Sequence, residues 1–176
     1  EFCERIGVTR SDGTVEMSAL ERCIRDDLES VPRGLGVVDP LKVVLTNYPE
    51  AGEEWFSAAK HPQDDSLGTR DIPFCRELWI EREDFMFEPP NQPYKRLSPG
   101  AEVRLRYGYI IRCDEVITGN DDEPVELRCS VDLESRAGGA NAERKVKGVI
   151  HWVSARHGVD VELRLYDRLF SEANPA

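Results

Sequence analysis

Three arginines between residues 103 and 112 have the type and spacing to act together on one anionic ligand. Arg104, Arg106 and Arg112 alternate with apolar residues, a period of two that predicts one long strand with a cationic face. The apolar residues of this run are Val103, Leu105, Tyr107, Tyr109 and Ile111. A guanidinium carries a planar fork of donors that fits phosphates and base edges. The run therefore indicates nucleic-acid recognition or, as the alternative, an exposed strand face paired with Glu126 and Glu162.

Two further stretches have the same chemical character. Tyr94, Lys95 and Arg96 place an aromatic ring beside two cations in a proline-rich loop, an arrangement that suits stacking on unpaired RNA bases. Arg33 precedes Gly34 and Gly36, and glycines allow a ligand to come close to the backbone. The alternatives are a solvated loop anchored by one tyrosine and a plain linker.

Composition indicates a globular chain with an acidic surface. Its 176 residues carry 23 Lys and Arg against 34 Asp and Glu, a net charge of −11, and 40% of them are hydrophobic. These values exclude a disordered chain, a collagen and a membrane-spanning protein. Net charge alone argues against nucleic acid, but charge is local: residues 94–112 hold five cations against Glu102 alone.

No catalytic or metal-binding motif is evident in the sequence. The five cysteines form no C-x-x-C pair, and Cys113 and Cys129 fall on apolar strand faces. Cys75, or the acids among residues 81–84, could serve an enzyme, but a solvated strand end is favoured for these acids. We therefore predict no catalytic residue and no metal in this segment.

The chain opens at Glu1 without an initiator methionine or a signal segment. We therefore expect a piece of a longer, cytoplasmic protein in a reducing compartment. Residues 1–30 are predicted to be helical, because Leu20, Cys23 and Ile24 recur at helical spacing. Gly7 is expected to end a first helix, Thr14 to cap the second, and Pro32 to stop it.

After Pro32 the periodicity changes from helical to two. Six runs predict strands separated by turns: 41–46, 74–82, 103–112, 125–131, 146–152 and 159–165. Trp152 and Phe74 are assigned to the core. Residues 49–73 and 86–100 are predicted to be long loops. The fold class is therefore mainly β, an antiparallel β-barrel preceded by a short α-helical segment.

Several stretches together resemble the C-terminal, anticodon-binding region of the class I glutaminyl-tRNA synthetase family. The most specific is RKVKGVIHWVS at 144–154, and the others are segments 1–9, 39–44, 77–82, 94–97, 103–106 and 164–170. The archaeal and eukaryotic type of glutamyl-tRNA synthetase shares this barrel and is the first alternative. Arg33 and the Asp39-Pro40 context favour the glutaminyl member.

The resemblance implies a domain plan. Residues 1–30 would connect to a catalytic domain, and residues 31–176 would form the proximal barrel, incomplete and without its distal neighbour. The HIGH and KMSKS signatures would precede residue 1. ATP with Mg²⁺ and glutamine would be needed by the parent enzyme and no cofactor by this segment. The expected partner is tRNA(Gln), with no DNA and no membrane, and a monomer is expected.

The resemblance also implies roles for single residues. Arg33 would read the middle anticodon base, Arg104 and Arg106 would lie near the first base with Gln63 in the adjacent loop, and Lys95 and Arg96 would lie near the third, beside Tyr94. The sequence departs from the usual pattern of this family at three places. It has glycines at 34 and 36 instead of alanines, Gln63 instead of asparagine, and Tyr107-Gly108 instead of Asn-Ala. A self-contained β-barrel enzyme or ligand carrier is the alternative of another class.

Overall fold

A computed structural model describes residues 1–8, 10, 13–90, 94–168 and 170–172. The described residues fall into two compact units, one drawn from 1–32 and 161–172 and the other from 33–160. The division into a connection of 1–30 and a barrel of 31–176 stays a prediction. Among the described helices, none is both long and apolar enough to cross a membrane.

The first unit contains two helices, α1 (Phe2–Ile6) and α2 (Met17–Asp27). Gly7 ends α1 with φ 75°, as predicted, because glycine tolerates this left-handed conformation. The expected cap at Thr14 is wrong, since α2 begins after Glu16 and has no side-chain cap. The helix also ends at Asp27, well before Pro32.

The described part of the second unit is built from nine strands: β1 (Pro40–Leu45), β2 (Glu53–Ala59), β3 (Thr69–Cys75), β4 (Glu77–Glu81), β5 (Glu102–Leu105), β6 (Ile110–Thr118), β7 (Pro124–Asp132), β8 (Val149–Ile150) and β9 (Val153–Ser154). Seven form one curled sheet in the order β8-β5-β6-β7-β1-β4-β9, and β2 pairs with β3. Pairing is antiparallel except between β1 and β7 and between β5 and β8. The predicted mainly β class is confirmed.

An aromatic cluster fills the space enclosed by the sheet. Phe74 is fully buried, and its ring centroid lies 5.1 Å from Tyr48, 5.2 Å from Trp152 and 5.3 Å from Tyr109. Both core assignments from the sequence, Phe74 and Trp152, are confirmed. Edge-on and tilted ring contacts of this kind add to the free energy gained by burying large apolar side chains. The cluster therefore gives the sheet a rigid interior.

The predicted strand 103–112 is wrong, because the chain reverses within it. Tyr107 takes φ 66°, the Gly108 amide donates to the Leu105 carbonyl at 2.8 Å, and β5 then pairs antiparallel with β6. Period-two alternation continues through a tight hairpin, so it does not reveal the turn. As a result Arg112 lies opposite Glu102, on a different strand from Arg104.

Other strand predictions also need correction. Residues 49–73 are not one loop, since β2 and most of β3 lie there, and 74–82 spans the end of β3 and all of β4. Residues 159–165, all described, form no strand. Their alternating apolar side chains stay exposed, as with Val159 at 81% and Leu165 at 81%, because alternation supplies no hydrogen-bonding partner strand. The predicted loop 86–100 is free of strands in its described part, and 91–93 lie outside that part.

Candidate nucleic-acid interface

Strand β8 organises the predicted recognition residues. The Arg104 amide donates to the Gly148 carbonyl and the Arg106 amide to the Ile150 carbonyl, both at 2.9 Å. On the other side, a Cβ added to Gly148 would lie 1.6 Å from the Lys95 carbonyl oxygen. Residue 148 therefore has to be glycine for the 94–97 segment to pack against β8. This close approach brings the Lys95 backbone next to Gly148, whose carbonyl accepts from the Arg104 amide.

A first cavity, which we call the Arg106 pocket, has a volume of about 330 Å³. Its lining includes Gly34, Gly36, Asp84, Arg106 and His151. The His151 Nε2 atom lies 2.9 Å from the Gly36 carbonyl oxygen, which holds the glycine segment against β8. Nothing lies within 4 Å of a Cβ placed at Gly34 or Gly36, so the segment faces open space. A flat, polar ligand can therefore approach this backbone closely.

A second cavity, which we call the Tyr94 pocket, has a volume of about 640 Å³. Its lining includes Tyr94, Arg96, Arg112, Lys145 and Lys147, with Pro89 and Pro90 on the apolar side. The Tyr94 hydroxyl is buried and has no hydrogen-bond partner among the described residues. Burial raises the pKa of this phenol, and the nearby Arg96 opposes the shift. An aromatic ring beside four cations suits a base together with its phosphates.

Asp84 joins the two pockets through Arg96. The Asp84 carboxylate lines the Arg106 pocket and lies 3.4 Å from the Arg96 Nε, while an Arg96 terminal nitrogen donates to the Glu83 carbonyl at 2.8 Å. Asp84 is only 7% exposed, and burial raises the pKa of its carboxyl while Arg96 lowers it. The sequence-based preference for a solvated strand end is therefore wrong here. Asp84 holds the Arg96 guanidinium at the boundary between the pockets.

Arg33 is bound to the strand end that precedes the loop carrying Gln63. The Arg33 amide donates to the Lys60 carbonyl at 2.7 Å, and the Arg70 guanidinium donates to the Arg33 carbonyl. The Gln63 amide donates to His61 Nδ1 at 3.2 Å, which fixes the loop that follows Lys60. Both side chains are exposed. Arg33 directly precedes Gly34, which lines the Arg106 pocket, so Arg33 adjoins that pocket in the chain.

Arg104 differs from the other predicted residues, because its guanidinium points into the protein. It donates to four backbone carbonyls: Ser135 at 2.6 Å, Ala142 at 3.0 Å, Arg144 at 3.1 Å and Gly108 at 3.4 Å. These bonds hold residues 133–144 against the β5–β6 turn. The expected base-reading role of Arg104 stays a prediction, and its observed contacts are structural.

Sequence reasoning missed four residues that shape this surface: Asp84, Gly148, Lys145 and Lys147. The cationic run before β8 is a sequence signal for two of these residues, Lys145 and Lys147. Gly148 interrupts the period-two pattern of the strand. A glycine at such a position indicates that another backbone comes close, but it does not indicate which one. Burial of Asp84 has no sequence signal. Among the described residues, no group of three or more His, Cys, Asp and Glu could hold a metal ion.

Comparison with known proteins shows the class of this fold. Residues 31–132 match the family described as tRNA synthetases class I (E and Q), anti-codon binding domain, and residues 149–176 match a second family of the same description. The chain therefore belongs to the anticodon-binding domains of class I tRNA synthetases.

Similar proteins carry the name glutamine–tRNA ligase. That of Xanthomonas axonopodis pv. citri (strain 306) is 55% identical over 175 residues, that of Pseudomonas putida 57% over 176 and that of Cronobacter sakazakii 52% over 176. Each alignment covers 99% of this chain and 30 to 32% of the relative. The chain thus spans about 30% of the length of these relatives. The resemblance inferred from the sequence is confirmed.

Replacing Arg104 tests its structural role. We expect Arg104→Ala to lower the free energy of unfolding by about 2–3 kcal/mol, because hydrogen bonds from a charged donor to several carbonyls are lost. Arg104→Lys should recover little, since one ammonium cannot span four acceptors. Urea denaturation measures the effect. The matched control is Arg128→Ala, which removes an arginine on β7 that forms exposed ion pairs. Equal stability of Arg104→Ala and the control would contradict this role.

The buried Asp84 carboxyl predicts a pH dependence. Its raised pKa means that the folded chain holds this proton more tightly than the unfolded chain. The stability of the unaltered chain, relative to Asp84→Asn, should therefore fall as pH rises from the ordinary value of 3.8 through the raised pKa. Thermal unfolding of both proteins across this range measures it. A relative stability that rises with pH would show that the Arg96 ion pair outweighs the cost of burial.

Proposed function

We propose that this chain is the anticodon-binding region of a glutamine–tRNA ligase and receives the anticodon loop of tRNA(Gln). Family membership supports tRNA binding, and relatives that carry the name glutamine–tRNA ligase support the amino acid. The main observation behind the proposal is a pair of cavities near β8 that are lined by predicted recognition residues. Arg106 lines one cavity, and Tyr94 and Arg96 line the other. Arg33 precedes the pocket residue Gly34, and its amide bonds the Lys60 carbonyl at the start of the loop that carries Gln63.

The mechanism of anticodon recognition depends on the bases of the anticodon loop being unpaired. An anticodon loop is single-stranded, so its bases can unstack and present their Watson–Crick edges to side chains. Arg106 and Arg33 offer planar donors, Tyr94 offers a stacking face, and Gln63 offers both a donor and an acceptor. A well-formed bidentate contact discriminates between bases by about 1–3 kcal/mol. Three bases read in this way give strong selection among tRNAs.

Lys95 and Arg96 supply positive charge at the third base. Lys95 is exposed, and its backbone packs on Gly148, the residue before β8. Arg96 is oriented by Asp84, which leaves part of its guanidinium facing the Tyr94 pocket. Interactions with phosphate make the affinity fall with salt. Arg104 contributes through the loop that it holds, and a direct contact of Arg104 with the first base stays a prediction.

The whole enzyme would activate glutamine with ATP and Mg²⁺ and transfer the acyl group to tRNA(Gln). Anticodon binding energy would reach that reaction through a connection in which residues 1–30 take part. A cytoplasmic location and a monomeric state also belong to this proposal.

Two alternatives make different predictions. A glutamyl-tRNA synthetase would charge glutamate, so assays of the full-length protein with each amino acid separate the two. An independent barrel enzyme would need an active Cys75 or the acids Glu81 and Glu83. The Glu81 carboxylate accepts hydrogen bonds from the Val38 and Asp39 amides, and Glu83 is exposed. The Cys75 thiol is 2% exposed and lies 3.0 Å from the Ser154 hydroxyl and 2.9 Å from the Glu77 carbonyl. Neither neighbour is a base able to activate a thiol.

The side chain of Arg106 provides the direct test of base reading. We expect Arg106→Ala to lower discrimination at one anticodon position by about 1–3 kcal/mol, measured as binding of anticodon stem-loops that differ in single bases. The fold should persist, because the core bond from Trp152 Nε1 goes to the Arg106 backbone carbonyl at 3.0 Å. Arg128→Ala is the control for loss of one charge. An equal loss for every base variant would indicate a phosphate contact and oppose base reading by Arg106.

A further inference from the structure

We infer that Lys145 and Lys147 bind backbone phosphates of the RNA in the Tyr94 pocket, an inference that rests on the proposed function. Both side chains are exposed and line this cavity, while Val146 between them is half-buried. Residues 145–147 lie outside any strand, and all three line this same cavity. The two ammonium groups therefore face one cavity together.

The charge balance of the pocket supports an anionic ligand. Glu102 is the one carboxylate in its described lining, and Arg144 engages it at 2.7 and 3.2 Å. Arg96 is compensated by Asp84, and Arg112 lies 3.7 Å from Asp114. Within the described ranges, no carboxylate oxygen lies within 4.0 Å of the Nζ atom of either lysine. Their positive charge is thus left uncompensated at the cavity.

The backbone that carries the two lysines is fixed at both ends. On the N-terminal side, Arg104 donates to the carbonyls of Ala142 and Arg144, and the Arg144 side chain reaches Asp132 at 3.1 Å. On the C-terminal side, Gly148 packs against the Lys95 backbone. A ligand therefore meets lysines whose backbone is already ordered, which lowers the entropy cost of binding.

Lysine chemistry indicates which part of the RNA is bound. An ammonium is a compact point charge without the planar fork that reads base edges in two-bond contacts. Lysines at this site suit phosphate oxygens, which position a strand without reporting its sequence. The bases remain for Tyr94 and the arginines, so the two lysines set affinity and register.

The test compares Lys145→Ala, Lys147→Ala and the double variant with Lys42→Ala. Lys42 lies on β1, lines neither cavity and is paired with Glu77 at 3.1 Å, so its loss removes the same charge elsewhere. The probe is a stem-loop RNA carrying the anticodon arm of tRNA(Gln), titrated at several salt concentrations. Thermal unfolding confirms that each variant is folded, as expected for exposed side chains.

Each pocket variant should reduce the slope of log K against log salt by about one, and the double variant by about two. The loss of affinity should be the same factor for every anticodon base variant, and Lys42→Ala should keep the slope of the unaltered chain. Pocket variants that bind like Lys42→Ala would overturn the inference while leaving the proposed function standing. A loss that depends on base identity would also overturn it. No binding of RNA by the unaltered chain would instead refute the proposed function.

A second measurement locates the phosphates. Replacing single loop phosphates of the RNA by neutral methylphosphonates should weaken binding to the unaltered chain at one or two positions. At those positions the substitution should have little further effect on the double variant, because the same interaction has already been removed. Fully additive losses at every phosphate would contradict a contact with Lys145 and Lys147.

Discussion

Residues 148–154 supply both edge strands of the seven-stranded sheet and thereby shape the proposed recognition surface. β8 pairs with β5 at one end of the sheet, and β9 pairs with β4 at the other. Between them the Trp152 ring is buried against Phe74, and its Nε1 donates to the Arg106 carbonyl. One short stretch therefore links the two edges of the sheet, packs the core and sets the position of the Arg106 backbone. Because Gly148 begins it, the 94–97 segment can also approach.

The cations of this surface fall into two groups with different physical roles. Arg104 donates to backbone carbonyls, and Arg144 donates to the carboxylates of Glu102 and Asp132. These two arginines therefore order the chain around the cavities. Arg106, Lys95, Lys145 and Lys147 have exposed side chains next to the same cavities. A chain with a net charge of −11 can thus present a local cationic face. The carbonyl contacts of Arg104 order the backbone beside this face, and under the proposed function that order favours selective over general binding of RNA.

Sequence patterns predicted the fold class and the cationic residues of the proposed surface. The predictions that were wrong failed for physical reasons. Alternation identified β1 and β7 but ran through the turn at Tyr107, since a hairpin preserves the period. The same alternation predicted a strand at 159–165, where no partner strand exists among the described residues. The type of Arg104 suggested an RNA contact, whereas only coordinates reveal its four carbonyl acceptors. Burial of Asp84 likewise depends on tertiary packing, which a single sequence does not report.

Nucleotide-resolved footprinting of a tRNA(Gln) transcript with this chain tests the central claim most directly. The account predicts protection of the three anticodon nucleotides and of the loop phosphates beside them, with protection at one anticodon base lost in Arg106→Ala. Protection confined to the acceptor stem, or an anticodon loop that stays as reactive as in free RNA while the chain is bound, would contradict it.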